Sequence, residues 1–238
     1  INVYSSDGKI ELKGIGHHIT YSNLTARSSN SIFAQSLKIS PDSSSLPYHH
    51  LNGIMQNVFV QNLDAKKIQS GFLVIDTITV ASGKIEADLT RQAFESKKKL
   101  NSIAIRKVNI GNTDLLLNLK QSVIDVKKAG IITQNLLIDS LGIGAKPIYT
   151  FSNSLASFDK VRLSNRADTS VLDIGPGQYS EQDSTLILKQ LSFKNSDNSL
   201  NLGLQELELK SLDKGLLFYQ KRLYASKAIL KGPEINVN

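Results

Sequence analysis

Along most of the chain, single apolar residues alternate with single polar ones. Segments 9–12, 33–39, 72–80, 103–110, 199–209 and 234–237 do so over several residues, with the period of two expected of strands that have one wet face. Val, Ile, Leu and Thr dominate these segments, and the polar residues fall in ones and twos between them, which is strand composition. Helical spacing is scarce. Its best stretches are 90–100, where Ala93, Phe94 and Leu100 could share two or three turns, and 122–128. Neither is long enough to organise a domain, so the pattern predicts a mainly β protein with few short helices.

A search for self-similarity finds a six-residue core: apolar, polar, polar, apolar, any, apolar. Its copies begin at Ala34, Ile75, Ile105, Ile138, Phe158, Leu188, Leu204 and Ala225; the second reads Ile75-Asp-Thr-Ile78-Thr-Val80 and the third Ile105-Arg-Lys-Val108-Asn-Ile110. The first and fourth positions are three apart, so an uninterrupted strand would point them to opposite faces. For all three apolar residues to meet one core, the polar pair must mark a bulge or a change of direction. The intervals between copies range from 16 to 41 residues. That inequality disfavours a solenoid of equal rungs and favours a meander of hairpins with loops of varied length. The stretch 40–47 and Gly175-Pro176-Gly177 are the strongest punctuation, and both read as loops within a sheet. The expectation is one elongated domain over 1–238, with two stacked halves meeting near residue 130 as the fallback.

Composition narrows the chemistry. With 238 residues and 40% hydrophobic content, the chain can bury a sizeable core. It has no cysteine, which excludes disulfide scaffolds, thiolate zinc sites, iron–sulfur clusters and thiol catalysis. No run approaches the roughly 18 apolar residues of a membrane-spanning helix. The only methionine is Met55, so a processed or excised chain is expected, with any signal or anchor upstream. The formal charge is +7, and residues 66–128 hold twelve of the 28 Lys and Arg. These fall in short pairs such as Lys66-Lys67, Arg106-Lys107 and Lys127-Lys128, and in Lys97-Lys98-Lys99, each separated by apolar segments. Aromatics are 6% with no tryptophan. A nucleic-acid binder needs a continuous basic stripe with stacking platforms, so no nucleic acid is expected. Solvated turns, or attraction to anionic lipid head groups, fit the short pairs better.

Catalytic signatures are missing in the same way. His17-His18 and His49-His50 are adjacent pairs with no Asp or Glu within three residues; neighbouring strand residues point to opposite faces, so neither pair makes a local metal site. There is no Gly-x-Ser-x-Gly elbow and no phosphate-binding glycine loop. Glu206 and Glu208 alternate with leucines, which puts both on a wet face instead of in a cleft. The reading is a protein that is not an enzyme, with no cofactor and no metal.

Three segments carry a family resemblance: Phe72-Leu-Val-Ile-Asp-Thr-Ile-Thr-Val80; Leu136-Leu-Ile-Asp-Ser-Leu-Gly-Ile143 leading to Pro147-Ile148; and 221–237, with Gly232-Pro233-Glu-Ile235 near its end. Their texture resembles the periplasmic repeats of AsmA-like proteins, a bacterial envelope family related to bridge-like lipid transporters, loosely over most of 30–238. The resemblance implies a long, twisted antiparallel sheet curled into a groove, a periplasmic location with an upstream anchor, and a role in lipid transport or envelope homeostasis. It carries no catalytic residue. An apolar concave face without helices to cover it could be covered by acyl chains. Its lining would include Ile75, Ile78, Val80, Ile105, Val108 and Ile110, with Leu200, Leu202, Leu204, Leu207 and Leu209. The expected partner is lipid or a membrane surface, with another envelope protein as a further candidate. The alternative is a secreted or surface β-sandwich or β-helix that binds a protein or a glycan. A second sheet closing over the apolar side chains would favour that alternative.

Overall fold

A computed structural model describes residues 2–12, 16–27, 29–42, 49–91, 102–139, 148–197, 199–220 and 222–237. The strands are β1 (Asn2–Leu12), β2 (His17–Arg27), β3 (Ser31–Pro41), β4 (His50–Gln61), β5 (Phe72–Asp88), β6 (Ser102–Asn118) and β7 (Ser122–Asp139). They continue as β8 (Ile148–Phe158), β9 (Lys160–Asn165), β10 (Val171–Ile174), β11 (Gly177–Ser180), β12 (Thr185–Lys194), β13 (Leu200–Leu212) and β14 (Ala225–Val237). All fourteen belong to one sheet. Two short helical pieces accompany it. One is α1 (Ala65–Gln69), whose first turn is capped by the Asp64 carboxylate accepting the Lys66 and Lys67 N–H groups; the other is a π-helical turn at Gly215–Tyr219. Among the described residues no helix is long and apolar enough to cross a membrane.

The topology is simpler than the strand count suggests. β7 pairs with β9 through its first half and with β8 through its second, so β8 and β9 form one ribbon interrupted at Asp159. β10 and β11 likewise form one ribbon broken at Gly175-Pro176, and β12 pairs with both. Twelve ribbons therefore follow one another in chain order. Every step is antiparallel except β5 to β6, which is parallel and corrects the all-antiparallel expectation. Its connection, 89–101, has the dozen or so residues that a crossover needs. The offset is 30 residues, Ile75 opposite Ile105 and Val80 opposite Ile110, the interval between the second and third copies of the repeat. Residues 122–127, a helix candidate by sequence, are strand paired to β9; most of the other candidate, 92–100, lies outside the described residues.

The ladders are broken along two creases. The first crosses all twelve ribbons, skipping the pairs Ser6 with Asn23, Asn23 with Gln35, Gln35 with Asn57 and Asn57 with Ala81. It continues through 111–112, Lys128, Asp159 and 175–176 to Gln190, Gln205 and Gly232. Asn23, Asn57, Asn112, Lys128, Gln190 and Gly232 on this line have φ between 39° and 57°, the left-handed region that Asn and Gly tolerate best. The second crease runs through Asn62, Asp76, Arg106 and Asn135, with Asn62 and Asn135 also left-handed. In β1–β5 no residue is inserted, because the pairing resumes in the same register.

Each crease resets which side chains face inward. Ile75 and Ile78 are three apart, as are Ile105 and Val108, yet all four pack in one cluster with Val60, Leu63, Leu73, Ile103, Ile110 and Leu136. The six-residue repeat is thus the sequence form of a crease. In the seven copies within the described residues the polar pair falls on a ladder gap: Gln35, Asp76, Arg106, Asp159, Gln190, Gln205 and Ser226. The copy beginning at Ile138 extends beyond them.

Candidate functional site

Residues that pair directly across a ladder share a face, so the registers trace that face across the molecule. One row runs Leu51, Ala87, Leu117, Ile124, Leu163, Leu172, Phe193, Leu202, Ile235, each directly opposite the next. All nine are apolar. At about 4.8 Å per step the row is about 40 Å long, against roughly 15 Å for the acyl chains of one bilayer leaflet. A parallel row on the other side of the first crease runs Leu24, Ala34, Val58, Val80, Ile110, Ile131, Ala156, Tyr179, Leu186, Leu209, Ala228. The apolar stripes therefore lie perpendicular to the strands and continue from ribbon to ribbon.

All eleven residues singled out by sequence stand on this face. Ile75, Ile78 and Val80 are opposite Ile105, Val108 and Ile110. Leu200, Leu202 and Leu204 precede the crease at Gln205, Leu207 and Leu209 follow it, and the pairings Leu204 with Leu191 and Leu207 with Leu188 keep them on one side. Exposure varies along the strands instead of between the two groups, since Leu209 is buried at 6%. Val58, Ile75, Val80, Ile105 and Val108 are buried at 5–9%, whereas Leu202 is 37% exposed and, on β14, Leu230, Ile235 and Val237 are 59%, 70% and 77% exposed.

All fourteen described strands belong to one sheet, whose apolar rows run from ribbon to ribbon. The substantial contacts between elements are those of hydrogen-bonded neighbours, plus α1 against β5. The total accessible surface agrees with an open shape: 14731 Å², where a globular monomer of 26.1 kDa has about 10,600 Å².

The opposite face is mixed: it holds the directly opposed pairs Phe33 with Phe59 and Ile132 with Leu155 and is laced by ion pairs between adjacent ribbons. Arg106 forms a two-point pair with Asp76, Lys231 meets Glu206 at 2.5 Å, and Lys160 and Arg162 meet Asp173 at 3.5 and 3.3 Å. The Arg106 side chain, and more weakly Thr77 and Asn62, hold the Asp76 carboxyl below its ordinary range. A cavity of about 530 Å³ opens beside this pair, lined also by Asn62, Val74, Asn135 and Thr150. It marks the indentation of the second crease.

The histidines do not converge on a metal. The Leu51 N–H donates to Nε2 of buried His17 at 2.9 Å, tying β4 to β2, and Nδ1 of His18 lies 2.7 Å from Asp42. Among the described residues no three His, Asp or Glu side chains are grouped to hold a metal ion. A half-buried pair, Lys214 with Glu181, closes the opposite rim; Lys214 also donates to the Phe151 carbonyl at 2.9 Å. Burial alone would raise the Glu181 carboxyl, but the Lys214 ammonium and the Ser154 N–H bring it below its usual value.

Sequence reasoning missed the creases as continuous lines and missed the Lys214–Glu181 clamp. The creases had a legible signal, asparagine in mid-strand, where it is disfavoured except in special backbone geometry. The clamp had none, since its members are 33 residues apart.

The fold and site define a mainly β, single-sheet protein with continuous apolar rows along one face and a mixed, ion-paired opposite face. No family model matches the sequence, and no curated protein matches it significantly.

Proposed function

We propose that the protein is a non-enzymatic envelope protein of bacteria, working on the periplasmic side, that binds or conducts lipid by laying acyl chains along the apolar face of its sheet. One observation carries this reading: within a single sheet, a nine-residue apolar row crosses nine ribbons without a polar interruption. An apolar stripe of this length exposed to water is unfavourable by the usual ~25 cal/mol per Å², and soluble monomers seldom leave such a patch bare without a use for it. A binding site for one compact ligand would be a pocket enclosed on several sides. A stripe perpendicular to the strands, open along its length, suits a flexible chain that can slide. The AsmA-like texture of 72–80, 136–143 and 221–237 supports the same assignment, as does the membership of all fourteen described strands in one sheet.

Native mass spectrometry of the protein isolated from bacterial membranes, followed by lipid extraction, tests the reading. Stoichiometric phospholipid or fatty acid is expected, and Leu202→Asp combined with Ile235→Asp should abolish it. A lipid-free protein that also fails to take up a fluorescent fatty acyl probe would rule the reading out.

A further inference from the structure

The connection between β13 and β14, residues 213–224, is long for a hairpin and unlike the polar turns elsewhere. Its own backbone orders it. Leu216 N–H donates to the Asp213 carboxylate at 2.9 Å and Leu217 N–H to the Asp213 carbonyl at 3.0 Å. The N–H groups of Gln220 and Arg222 both donate to the Leu216 carbonyl, and Asp213 N–H donates to the Tyr224 carbonyl at 3.2 Å. Lys214 then anchors the base of the loop to β8 through the Phe151 carbonyl, the Phe151 ring at 5.0 Å and Glu181. The described residues of this projection are thus tied to one another and to β8.

That projection presents apolar surface to solvent. Leu223 is 61% exposed and Tyr224 57%, adjacent in sequence and beside exposed Arg222, with exposed Lys227 four residues after Leu223. A loop with no partner ordinarily carries small and polar residues at such places. Consecutive Leu and Tyr flanked by Arg and Lys have instead the chemistry of a membrane–water boundary. The aliphatic chain enters the acyl edge, the tyrosine ring sits at head-group level, and the cations meet phosphate. Charge is complementary as well: 213–238 holds five Lys and Arg against two acidic residues, in a chain of net charge +7. The rim is shared with α1, where Lys66 and Lys67 precede Ile68, itself 40% exposed.

We propose that the 213–224 connection docks the protein onto an anionic bilayer surface, with Leu223 and Tyr224 entering the interface and Arg222 and Lys227 facing lipid phosphates. This rests on the proposed function only in identifying why a bilayer would be visited; the docking chemistry stands on the loop itself.

The chain has no tryptophan and no cysteine, so a single introduced probe reports one position. Tyr224→Trp is mixed with phosphatidylcholine vesicles with and without phosphatidylglycerol, and Ala167→Trp, in the 166–170 turn on the opposite rim, serves as the comparison. The expected result is a blue shift of emission for Tyr224→Trp on phosphatidylglycerol vesicles only, weakened by salt, and none for Ala167→Trp. Adding Leu223→Asp should raise the vesicle concentration needed by about tenfold or more with an unchanged circular dichroism spectrum. If Tyr224→Trp misfolds, Leu223→Cys carrying an environment-sensitive dye gives the same reading. No shift in a folded variant, or an equal shift at Ala167→Trp, overturns the proposal. Co-purified lipid together with no shift defeats the docking and leaves the trough standing; a shift on a protein that takes up no acyl probe does the reverse.

Discussion

Replacing Asn57 by valine separates the creased sheet from an ordinary one by the sign of the effect. Asn57 lies inside β4, a twelve-residue strand, and has φ of 50°. Strand propensity alone favours valine, on a scale that spans about 1 kcal/mol. The left-handed backbone opposes it: a side chain with a Cβ costs roughly 1–2 kcal/mol there, and a β-branched one is the worst case. The backbone wins, because the pairing on both sides of Asn57 with β3 and β5 fixes its conformation. Asn57→Val should therefore destabilise by about 1–2 kcal/mol, while Asn57→Gly should be close to neutral. With a urea slope of about 3 kcal/mol per molar, Asn57→Val moves the unfolding midpoint down by about 0.5 M. Asn52→Val, in the same strand, exposed and without a positive φ, is the comparison and should be neutral or stabilising. A midpoint for Asn57→Val equal to or above that of the wild type would refute the crease, and with it the shared face of residues on its two sides.

Truncations on the apolar face should diverge by position: Ile105→Ala, at 9% exposure, should cost about 2–4 kcal/mol, and Ile235→Ala, at 70% exposure, under about 1 kcal/mol, both by chemical denaturation. Lys214→Met leaves the Glu181 carboxylate half-buried without its cation and should destabilise by about 1–3 kcal/mol, with Glu181→Gln added to Lys214→Met recovering part of the loss in a double-mutant cycle. Asp88 and Glu181 have folded values below the ordinary 3.8 and 4.5, Asp88 chiefly because the Thr90 hydroxyl and N–H donate to it. Their contribution is complete above those ordinary values and is lost as pH falls through the lowered ones. Thermal melts should thus hold steady down to about pH 5 and fall below it, and Asp88→Asn should flatten that fall.

The sequence made the fold class legible because the alternation in segments such as 72–80 and 103–110 is strict, and a sheet with one apolar face needs nothing else. The repeat was legible too, and its spacing already implied that Ile75 and Ile78 could share a face only across an irregularity. Strand direction was not. The pattern of β5 and β6 is the same whether they run parallel or antiparallel, and only the length of 89–101 decides it. The stretch 122–128 misled because Val123, Ile124 and Val126 fit a helical face as well as a strand, and tertiary pairing with β9 settled the matter. α1 was obscured by its five-residue length, too short for periodicity to register. The eleven lining candidates were legible as apolar positions. Their exposure was not, since Leu202 and Leu209 look alike in sequence and lie on one strand, yet are 37% and 6% exposed.

Photo-crosslinking with a phospholipid that carries a diazirine in its acyl chain, read by peptide mass spectrometry, tests the central claim most directly. The account predicts adducts on the row from Leu117 through Ile124, Leu163, Leu172 and Phe193 to Leu202 and few on the ion-paired face that holds Asp76, Arg106 and Glu206. Adducts confined to that ion-paired face, or none on the apolar row at lipid saturation, would contradict it.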